Sequence, residues 1–157
     1  MIYLIGKTST VATGIYLYLK RLKNIELIQL GYKEIDKLPK EIDTLIYCLG
    51  THGGVARSSI LTCFESHTLS LIRILKKCEI KRIIYLSSIH LYMRTNVEHL
   101  LENEKIEYKI SPLNPEHYYD QCKLISESTL LLNRNKFNIN ILRLGQVIGE
   151  LPQKDSL

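Results

Sequence analysis

The sequence predicts a doubly wound α/β domain, in which helices cover both faces of a mainly parallel sheet of about five or six strands. Short apolar runs suited to buried strands recur at residues 2–5, 26–30, 43–49, 82–86 and 138–144. Segments with helical apolar periodicity separate most of these runs, and a glycine follows each of the first three. Such alternation is typical of βαβ units and therefore of a parallel sheet.

The bulk composition fits one domain of this kind. At 157 residues the chain can form a single core, and its apolar fraction of 45% and charged fraction of 24% are ordinary for a globular protein. The first apolar run is too short for a signal peptide, and no run approaches the roughly 20 residues that span a bilayer. We therefore expect a cytoplasmic protein with no membrane partner.

The charge and the cysteines argue against several classes of function. The net charge of +5 comes from scattered basic residues and not from a patch interleaved with aromatic side chains, so we expect no nucleic-acid partner. The four cysteines show no C-x-x-C pairing, and the five histidines lack metal-ligand spacing. We expect reduced thiols and no metal site.

The first strand leads into a turn suited to phosphate. Gly6 ends the strand, Ser9 is a favoured helix N-cap residue, and apolar periodicity from Val11 onwards indicates a helix. Backbone N–H groups and the helix dipole at such an N-terminus favour a pyrophosphate. The candidate cofactor-binding residues of this turn are Gly6, Ser9, Thr10 and Val11.

The strand at residues 43–49 runs into a second candidate binding loop. Leu49, Gly50 and Thr51 begin this loop, where glycine lets the backbone approach a ligand closely. We therefore add these three residues to the candidate cofactor site.

Two long helices and one shorter one are predicted after the second strand. Residues 59–77 and 116–133 have helical periodicity, residues 95–104 form a shorter candidate, and residues 32–41 are too charged for a full βα unit. The predicted inward positions of the two long helices are Ile60, Leu61, Phe64, Leu71, Ile74 and Leu75, and Leu124, Leu130 and Leu131.

Tyr119 and Lys123 lie one turn apart on the last of these helices. A lysine ammonium at that spacing favours the phenolate, and so lowers the pKa of a tyrosine, which is ordinarily about 10. The spacing alone is not informative, because two other pairs share it: Tyr3/Lys7 and Tyr16/Lys20. Only the surrounding motifs distinguish the third pair.

Three blocks occur in order after the second loop. They are a strand that ends in Ser-Ser with a trailing tyrosine (residues 80–92), Tyr-x-x-x-Lys on a helix (residues 119–127), and a strand with a glycine-containing loop (residues 141–149). With the first strand and its turn, they resemble the extended short-chain dehydrogenase/reductase superfamily, in its NAD-dependent epimerase/dehydratase branch. The resemblance implies a Rossmann-type NAD(P)-binding domain over residues 1–157, NAD or NADP as the cofactor, and a nucleotide-sugar substrate.

The resemblance also implies a role for each catalytic candidate. Ser88 would hydrogen-bond the reacting hydroxyl or carbonyl, Tyr119 would be the general acid/base, and Lys123 would hold the nicotinamide ribose and lower the pKa of Tyr119. This chemistry needs a positioned proton acceptor, because hydride departure from a carbinol must be matched by loss of its O–H proton. The family's frequent dimer contact implies a possible homodimer through the helices at residues 59–77 and 116–133.

The sequence departs from the family pattern in several places. Ser9 and Ala12 stand where the fingerprint has glycines, and no acidic residue directly follows the second strand, although Glu34 and Asp36 are near. The Asp-Glu pair of the dehydratases does not accompany Ser88, which argues against dehydration. The family's C-terminal substrate lobe is expected to be absent or truncated here, after about residue 150.

Two principal hypotheses follow from these patterns. The catalytic set favours an NAD(P)-dependent epimerase- or reductase-like protein. The altered fingerprint and the missing lobe favour a non-catalytic NAD(P)-binding or interaction module that kept the fold. A third hypothesis is a protomer completed by another chain. Self-association would cover three apolar residues expected near the site opening, Leu91, Tyr92 and Tyr118.

Overall fold

A five-stranded sheet forms the centre of the computed structural model, which describes residues 1–95 and 107–147. The strand order is β2-β1-β3-β4-β5, and every neighbouring pair is parallel. The strands are β1 (Ile2–Ile5), β2 (Leu27–Leu30), β3 (Glu41–Tyr47), β4 (Glu79–Ser88) and β5 (Asn138–Leu144). The predicted α/β class with a parallel sheet is confirmed.

The central strands begin earlier than their apolar runs. Glu41 pairs with Glu79 and Ile42 pairs with Ile80, so β3 and β4 share a polar first rung. Side chains alternate between the two faces of a strand, and the glutamates at this rung are exposed while the isoleucines are buried. A search for continuous apolar runs therefore misses the first residues of both strands.

The helices are α1 (Thr10–Lys20), α2 (Gly53–Ser58), α3 (Ile60–Phe64), α4 (Ser70–Lys77) and α5 (Tyr118–Leu132). A π-helical turn, Glu65–Leu69, joins α3 to α4, so the predicted helix at residues 59–77 carries a bulge. Short 3₁₀ helices occupy Tyr32–Lys37, Ile89–Arg94 and Pro115–His117. The first of these confirms that no full βα unit lies between β2 and β3.

Helices pack on both faces of the sheet, as the doubly wound prediction requires. On one face the rings of Tyr47 and Tyr85 stack in a core with buried side chains of α4 and α5, including Leu71 and Leu130. On the other face α1 packs through Ala12 against residues of β1 and β3, Leu4 and Ile46. Burial of these apolar side chains holds the layers together.

Three predicted side-chain positions are wrong. Leu61 is 78% exposed and Leu131 is 48% exposed, although both were placed on inward faces. The π-turn after α3 adds a residue to the helical repeat, so one 3.6-residue pattern cannot describe residues 59–77. Leu91 is fully buried, because the 3₁₀ helix after β4 turns it into the core, so it cannot contribute to an exposed surface.

Residues 96–104 of the predicted short helix lie outside the described residues, and Thr95 pairs with Tyr108 in an isolated antiparallel bridge. Within residues 1–95 and 107–147, no helix is both long and apolar enough to cross a bilayer. The four cysteines form no disulfide in the structure.

Candidate active site

The carboxyl ends of β1, β3 and β4 meet at one edge of the sheet, because these strands are parallel. The chain leaves β1 towards β2 on one side, while β3 pairs with β1 on the other, so the strand order reverses between β1 and β3. In open α/β sheets, ligands bind in the crevice outside such a reversal. The two predicted cofactor segments, residues 6–11 and 49–51, follow the strands that flank it.

Gly6 makes the first turn possible. Its φ is +127°, and a Cβ there would lie 3.1 Å from the backbone of Cys48 on the adjacent segment. Such a φ is rarely adopted by residues with a side chain, so glycine is required at this point. The two backbones therefore approach closely here, and α1 begins a few residues later at Thr10 and Val11.

Ser9 and Ala12 replace fingerprint glycines without disturbing the turn. Ser9 has an ordinary extended backbone, with φ of −75°, and its Oγ accepts a hydrogen bond from the Ala12 backbone N–H at 3.4 Å. Ala12 is fully buried, and its methyl group packs on β1 and β3. Compared with glycine, both residues have less backbone freedom. Ser9 adds a helix cap, and Ala12 adds a small apolar contact in the core.

His67 on the π-turn contacts the backbone of the second loop, which begins at Leu49, Gly50 and Thr51. Its Nε2 is 3.0 Å from both the backbone N and the carbonyl O of Thr51. A Cβ at Gly50 would lie 2.0 Å from the His67 ring, so only glycine fits above it. The sequence interpretation missed His67; its one sequence signal is a polar residue within a helix that is otherwise apolar on its inner face.

Ser88 ends β4 at the same edge. It is buried, and its Oγ accepts a hydrogen bond from the backbone N–H of His90 at 3.2 Å. The nearby Ser88 hydroxyl favours the ionised phenol of Tyr119 and so opposes the rise in its pKa. Ser88 and Tyr119, two of the three predicted catalytic residues, therefore lie near each other at this edge.

Tyr119 lies in the first turns of α5, with its ring between two histidines. The ring centroids of His67 and His90 are 5.3 and 6.1 Å away, both in edge-on arrangements. Burial raises the pKa of Tyr119 to about 12 and outweighs the opposing effect of the Ser88 hydroxyl. Lys123 was predicted to lower this pKa. In the structure the pKa of Tyr119 is raised instead, because burial has the largest effect on it.

Lys123 is only 5% exposed. Its Nζ donates a hydrogen bond to the Leu86 carbonyl at 2.7 Å, and it lies 5.1 Å from the ring centroid of Tyr85 and 5.7 Å from that of Tyr119. Burial lowers the pKa of Lys123 to about 8. The ammonium therefore faces the edge of β4 and the tyrosine ring, where a buried cation is stabilised by a carbonyl and two aromatic faces.

Two ion pairs that the sequence interpretation missed brace α5. Arg143 of β5 forms a bidentate pair with the buried Glu127, at 2.7 and 3.0 Å, and donates to the Tyr108 hydroxyl at 2.7 Å. Arg94 contacts the buried Asp120 at 2.7 Å. Both carboxylates belong to α5, so these contacts fix that helix against β5 and against the segment after β4.

One cavity lies against α5 and another lies at the amino ends of the strands. The first, of about 520 Å³, lies between α5 and β5 and is bordered by Tyr92, Glu127 and Arg143. The second has a volume of about 880 Å³. The catalytic candidates lie at the carboxyl edge of the sheet, away from the second cavity.

The fold and this edge define a dinucleotide-binding type of α/β domain. The model of the NAD dependent epimerase/dehydratase family matches residues 7–156. The chain therefore belongs to this family, as the sequence motifs predicted. No curated protein sequence matches the chain significantly.

Solved structures with the same fold are about twice as long as this chain. RMD from Pseudomonas aeruginosa, complexed with NADPH, aligns with a TM-score of 0.72 and 21% identity over 99% of this chain and 56% of that one. UDP-glucose 4-epimerase from Bifidobacterium longum, in complex with NAD⁺ and UDP, gives 0.69 and 19% over 90% and 52%. UDP-N-acetylglucosamine 4-epimerase from Methanobrevibacter ruminantium gives 0.68 and 16% over 90% and 53%.

Proposed function

We propose that the chain is an NAD(P)-dependent epimerase- or reductase-like protein that acts on a nucleotide sugar. The observation that carries this proposal is the convergence of Ser88, Tyr119 and Lys123 at the carboxyl edge of the sheet, beside the Gly6 turn. Ser88 is near enough to the phenol to affect its pKa, and the Lys123 ammonium lies 5.7 Å from the centre of the same ring. A proton-transfer group and a cation are thereby held next to a dinucleotide-binding turn.

The residues of the edge fit a nicotinamide dinucleotide. Gly6 lets the backbone turn without a side chain next to Cys48, and α1 begins a few residues later with its N-terminus at this edge. Leu49, Gly50 and Thr51 follow the neighbouring strand, and His67 fixes their backbone. When bound, such a cofactor supplies the hydride chemistry, and the protein supplies position and the proton path.

Each of the three side chains has one task in the proposed reaction. Tyr119 takes or returns the proton of the sugar hydroxyl, since its phenol carries an exchangeable proton and lies near the Ser88 hydroxyl. Ser88 orients the sugar hydroxyl through a hydrogen bond. Lys123 provides a positive charge near the Tyr119 ring, and it would hold the ribose of a bound cofactor.

The substrate class rests on likeness to longer proteins. Two of the similar structures are sugar epimerases whose bound molecules are UDP and UDP-N-acetylmuramic acid. This chain spans only 52% and 53% of those chains. A nucleotide sugar is therefore proposed as the substrate by analogy with them, and not from a binding lobe of this chain. The free thiols support a reducing compartment, and we place the protein in the cytoplasm.

Two measurements test the proposal in order. Addition of NAD⁺, NADH, NADP⁺ or NADPH should raise the melting temperature, because a ligand that binds only the native state stabilises it. The absorbance of reduced nicotinamide should then rise when a panel of UDP- and other nucleotide sugars is added with the oxidised cofactor. The absence of any thermal shift at millimolar cofactor would refute cofactor binding by this chain.

The second candidate function is a non-catalytic NAD(P)-binding or interaction module. It is favoured by the raised pKa of Tyr119, about 12, because such a phenol stays almost entirely protonated near neutral pH and little phenolate is present to accept a proton. A thermal shift with cofactor, but no nicotinamide reduction with any sugar, would select this function over the first.

We also propose that the chain forms a homodimer through α3 and α5. Leu61 on α3 and Ile125 and Leu132 on α5 are apolar and exposed. Surface of this kind on two helices that already pack together is typical of an association site. Sedimentation at tens of micromolar protein should show a dimer, and Leu61→Glu should shift it towards monomer; a wild-type monomer would overturn the proposal.

A further inference from the structure

The cavity of about 880 Å³ lies at the amino ends of the strands, at the edge of the sheet opposite the candidate active site. Its volume is within the usual range of small-molecule sites, roughly 300–1,000 Å³. The residues assigned to the proposed reaction and to the cofactor do not line it. A ligand in this cavity would therefore bind independently of the proposed reaction.

Five apolar side chains line the cavity, and we call them the apolar floor. Ile42 and Ile80, the paired second residues of β3 and β4, are 2% and 6% exposed. Tyr3 of β1 is also buried, whereas Leu75 and Phe137 are only partly buried although they pack against the same core. The partly buried pair leaves apolar surface that the body of a ligand can cover.

Lysines that are far apart in the sequence meet at the same cavity. They come from the segment before β3, the last turn of α4, β4 itself and the turn after α5. All of them are exposed, and they are Lys40, Lys76, Lys77, Lys81 and Lys136. The fold therefore gathers positive charges that form no patch along the sequence.

Carboxylates neutralise only one part of this set of lysines. Asp43 lies 2.8 Å from the Nζ of Lys81, and Glu79 lies 3.6 Å from the Nζ of Lys40. The third carboxylate that lines the cavity is Glu41, which pairs with Glu79 on the first rung of β3 and β4. The cavity thus has more lysines than carboxylates, and its ion pairs lie on the side of the strands.

The remaining three, Lys76, Lys77 and Lys136, have no carboxylate partner among the residues that the structure describes, and we call them the unpaired lysines. Lys77 donates only to a backbone carbonyl, that of Asp36. Cations in the last turn of α4 also complement the helix dipole, which accounts for Lys76 and Lys77 in part. Lys136 follows a different helix, so the dipole of α4 does not account for its place at the cavity.

We propose that this cavity binds a small organic phosphate, with the phosphate held by the unpaired lysines and the apolar body of the molecule on the apolar floor. Lysine ammonium groups bind phosphate through charge-assisted hydrogen bonds. Apolar surface beside them favours an organic phosphate over the free ion, because its body is removed from water on binding. The volume of the cavity suits a small molecule and not a segment of a macromolecule.

Titration of the ¹⁵N-labelled full chain with 1-naphthyl phosphate, followed by NMR, tests the proposal. The backbone amide signals of residues 75–81 and 136–137 should shift until the site is saturated, whereas those of residues 6–12 and 49–51 at the opposite edge should not. Inorganic phosphate lacks the apolar body and 1-naphthol lacks the phosphate. Each should bind at least about tenfold more weakly than the probe.

Two double variants with the same change of net charge separate this site from general attraction of anions. Lys76→Gln/Lys136→Gln should weaken binding of the probe by about tenfold or more, because two charged contacts are lost. Lys20→Gln/Lys23→Gln should bind like wild type, since both lysines are exposed and neither lines the cavity. Equal affinities for the two double variants would overturn the proposal.

Three results with the wild-type protein would also overturn it, and none of them depends on a variant folding. They are the absence of any saturable shift at millimolar 1-naphthyl phosphate, shifts confined to residues 6–12 and 49–51, and equal affinities for the probe and inorganic phosphate.

Discussion

Two tyrosine–lysine pairs in this chain have the same spacing and the same local contact. The Nζ of Lys20 lies 5.5 Å from the ring centroid of Tyr16 on α1, and the Nζ of Lys123 lies 5.7 Å from that of Tyr119 on α5. The helix repeat alone brings each ammonium over its ring. The contact therefore says nothing about chemistry, and the difference between the pairs must come from their surroundings.

The surroundings differ in burial and in position on the sheet. Lys20 is exposed at the last turn of α1, whereas Lys123 is 5% exposed and donates to the Leu86 carbonyl. The chain of α1 runs back from the carboxyl edge, as a crossover between parallel strands requires, so its final turn lies away from the site. Only α5 sets its pair beside Ser88. A matched pair of tests follows from this contrast.

The largest expected effect is on the proposed reaction. Tyr119→Phe removes the phenolic proton and keeps the ring, so nicotinamide reduction should fall by about 10²–10⁴-fold, the range for a positioned acid/base. Tyr16→Phe, at the same spacing on α1, should leave the rate unchanged. Equal rates for wild type and Tyr119→Phe would show that the contrast between the pairs has no catalytic meaning.

Lys123 should make folding stability depend on pH. Its folded pKa of about 8 lies below the value of 10.5 expected in the unfolded chain. Between these values the unfolded state binds more protons, so stability rises with pH through this window; below about pH 8 the cost of burying the charge is complete. Across this window, the free energy of unfolding of the wild type should rise relative to that of Lys123→Met by on the order of 3 kcal/mol.

Urea unfolding of wild type and of Lys123→Met from pH 7 to pH 10.5 measures this difference in the free energy of unfolding. Groups with raised pKa values, such as Tyr119, contribute in the opposite direction, but they are present in both proteins and their contribution cancels. Lys20→Met should run parallel to wild type over the whole range, because Lys20 is exposed. Parallel curves for wild type and Lys123→Met would contradict the buried-ammonium account.

A smaller effect is expected at the loop that His67 holds. In Gly50→Ala the new methyl would lie 2.0 Å from the His67 ring, so the ring or the loop must move and the two contacts with Thr51 are lost. We expect a loss of about 1–3 kcal/mol in the free energy of unfolding, together with weaker cofactor binding. Gly53→Ala is the control, since a Cβ there meets nothing within 4 Å; equal losses in both variants would contradict the role of His67.

The sequence was sufficient for the sheet because buried parallel strands are local apolar runs. The runs at residues 2–5 and 138–144 match β1 and β5 residue for residue, and the family motifs correctly identified the family. What it missed depends on contacts between distant segments. Leu61 was placed inwards because a 3.6-residue period was assumed across a π-turn, which only tertiary packing reveals.

The candidate site shows the same limit. Ser88, Tyr119 and Lys123 could be named from motifs, and the structure brings them together. The pKa of Tyr119 could not be predicted, because burial, and not the neighbouring charge, sets its direction. His67 was missed because its partner lies sixteen residues away in a loop, with no regular spacing to indicate the contact.

The smallest expected effect is on stability, and it tests whether α1 can be changed without affecting the tyrosine–lysine pair on α5. Gly14 lies inside α1, is exposed, and would have nothing within 4 Å of an added Cβ. Gly14→Ala should therefore raise the free energy of unfolding by about 0.5–1 kcal/mol, because alanine loses less backbone freedom in a helix.

Gly6→Ala, eight residues earlier, is the matched opposite. Its φ of +127° and the 3.1 Å approach of Cys48 make a side chain strained there. Chemical denaturation gives both free energies, and cofactor titration gives the second readout. Gly14→Ala should bind cofactor like wild type, whereas Gly6→Ala should lose binding. If Gly14→Ala lowered either stability or cofactor affinity, the interior of α1 would be part of the site, and its tyrosine–lysine pair could no longer serve as the inert control for the pair on α5.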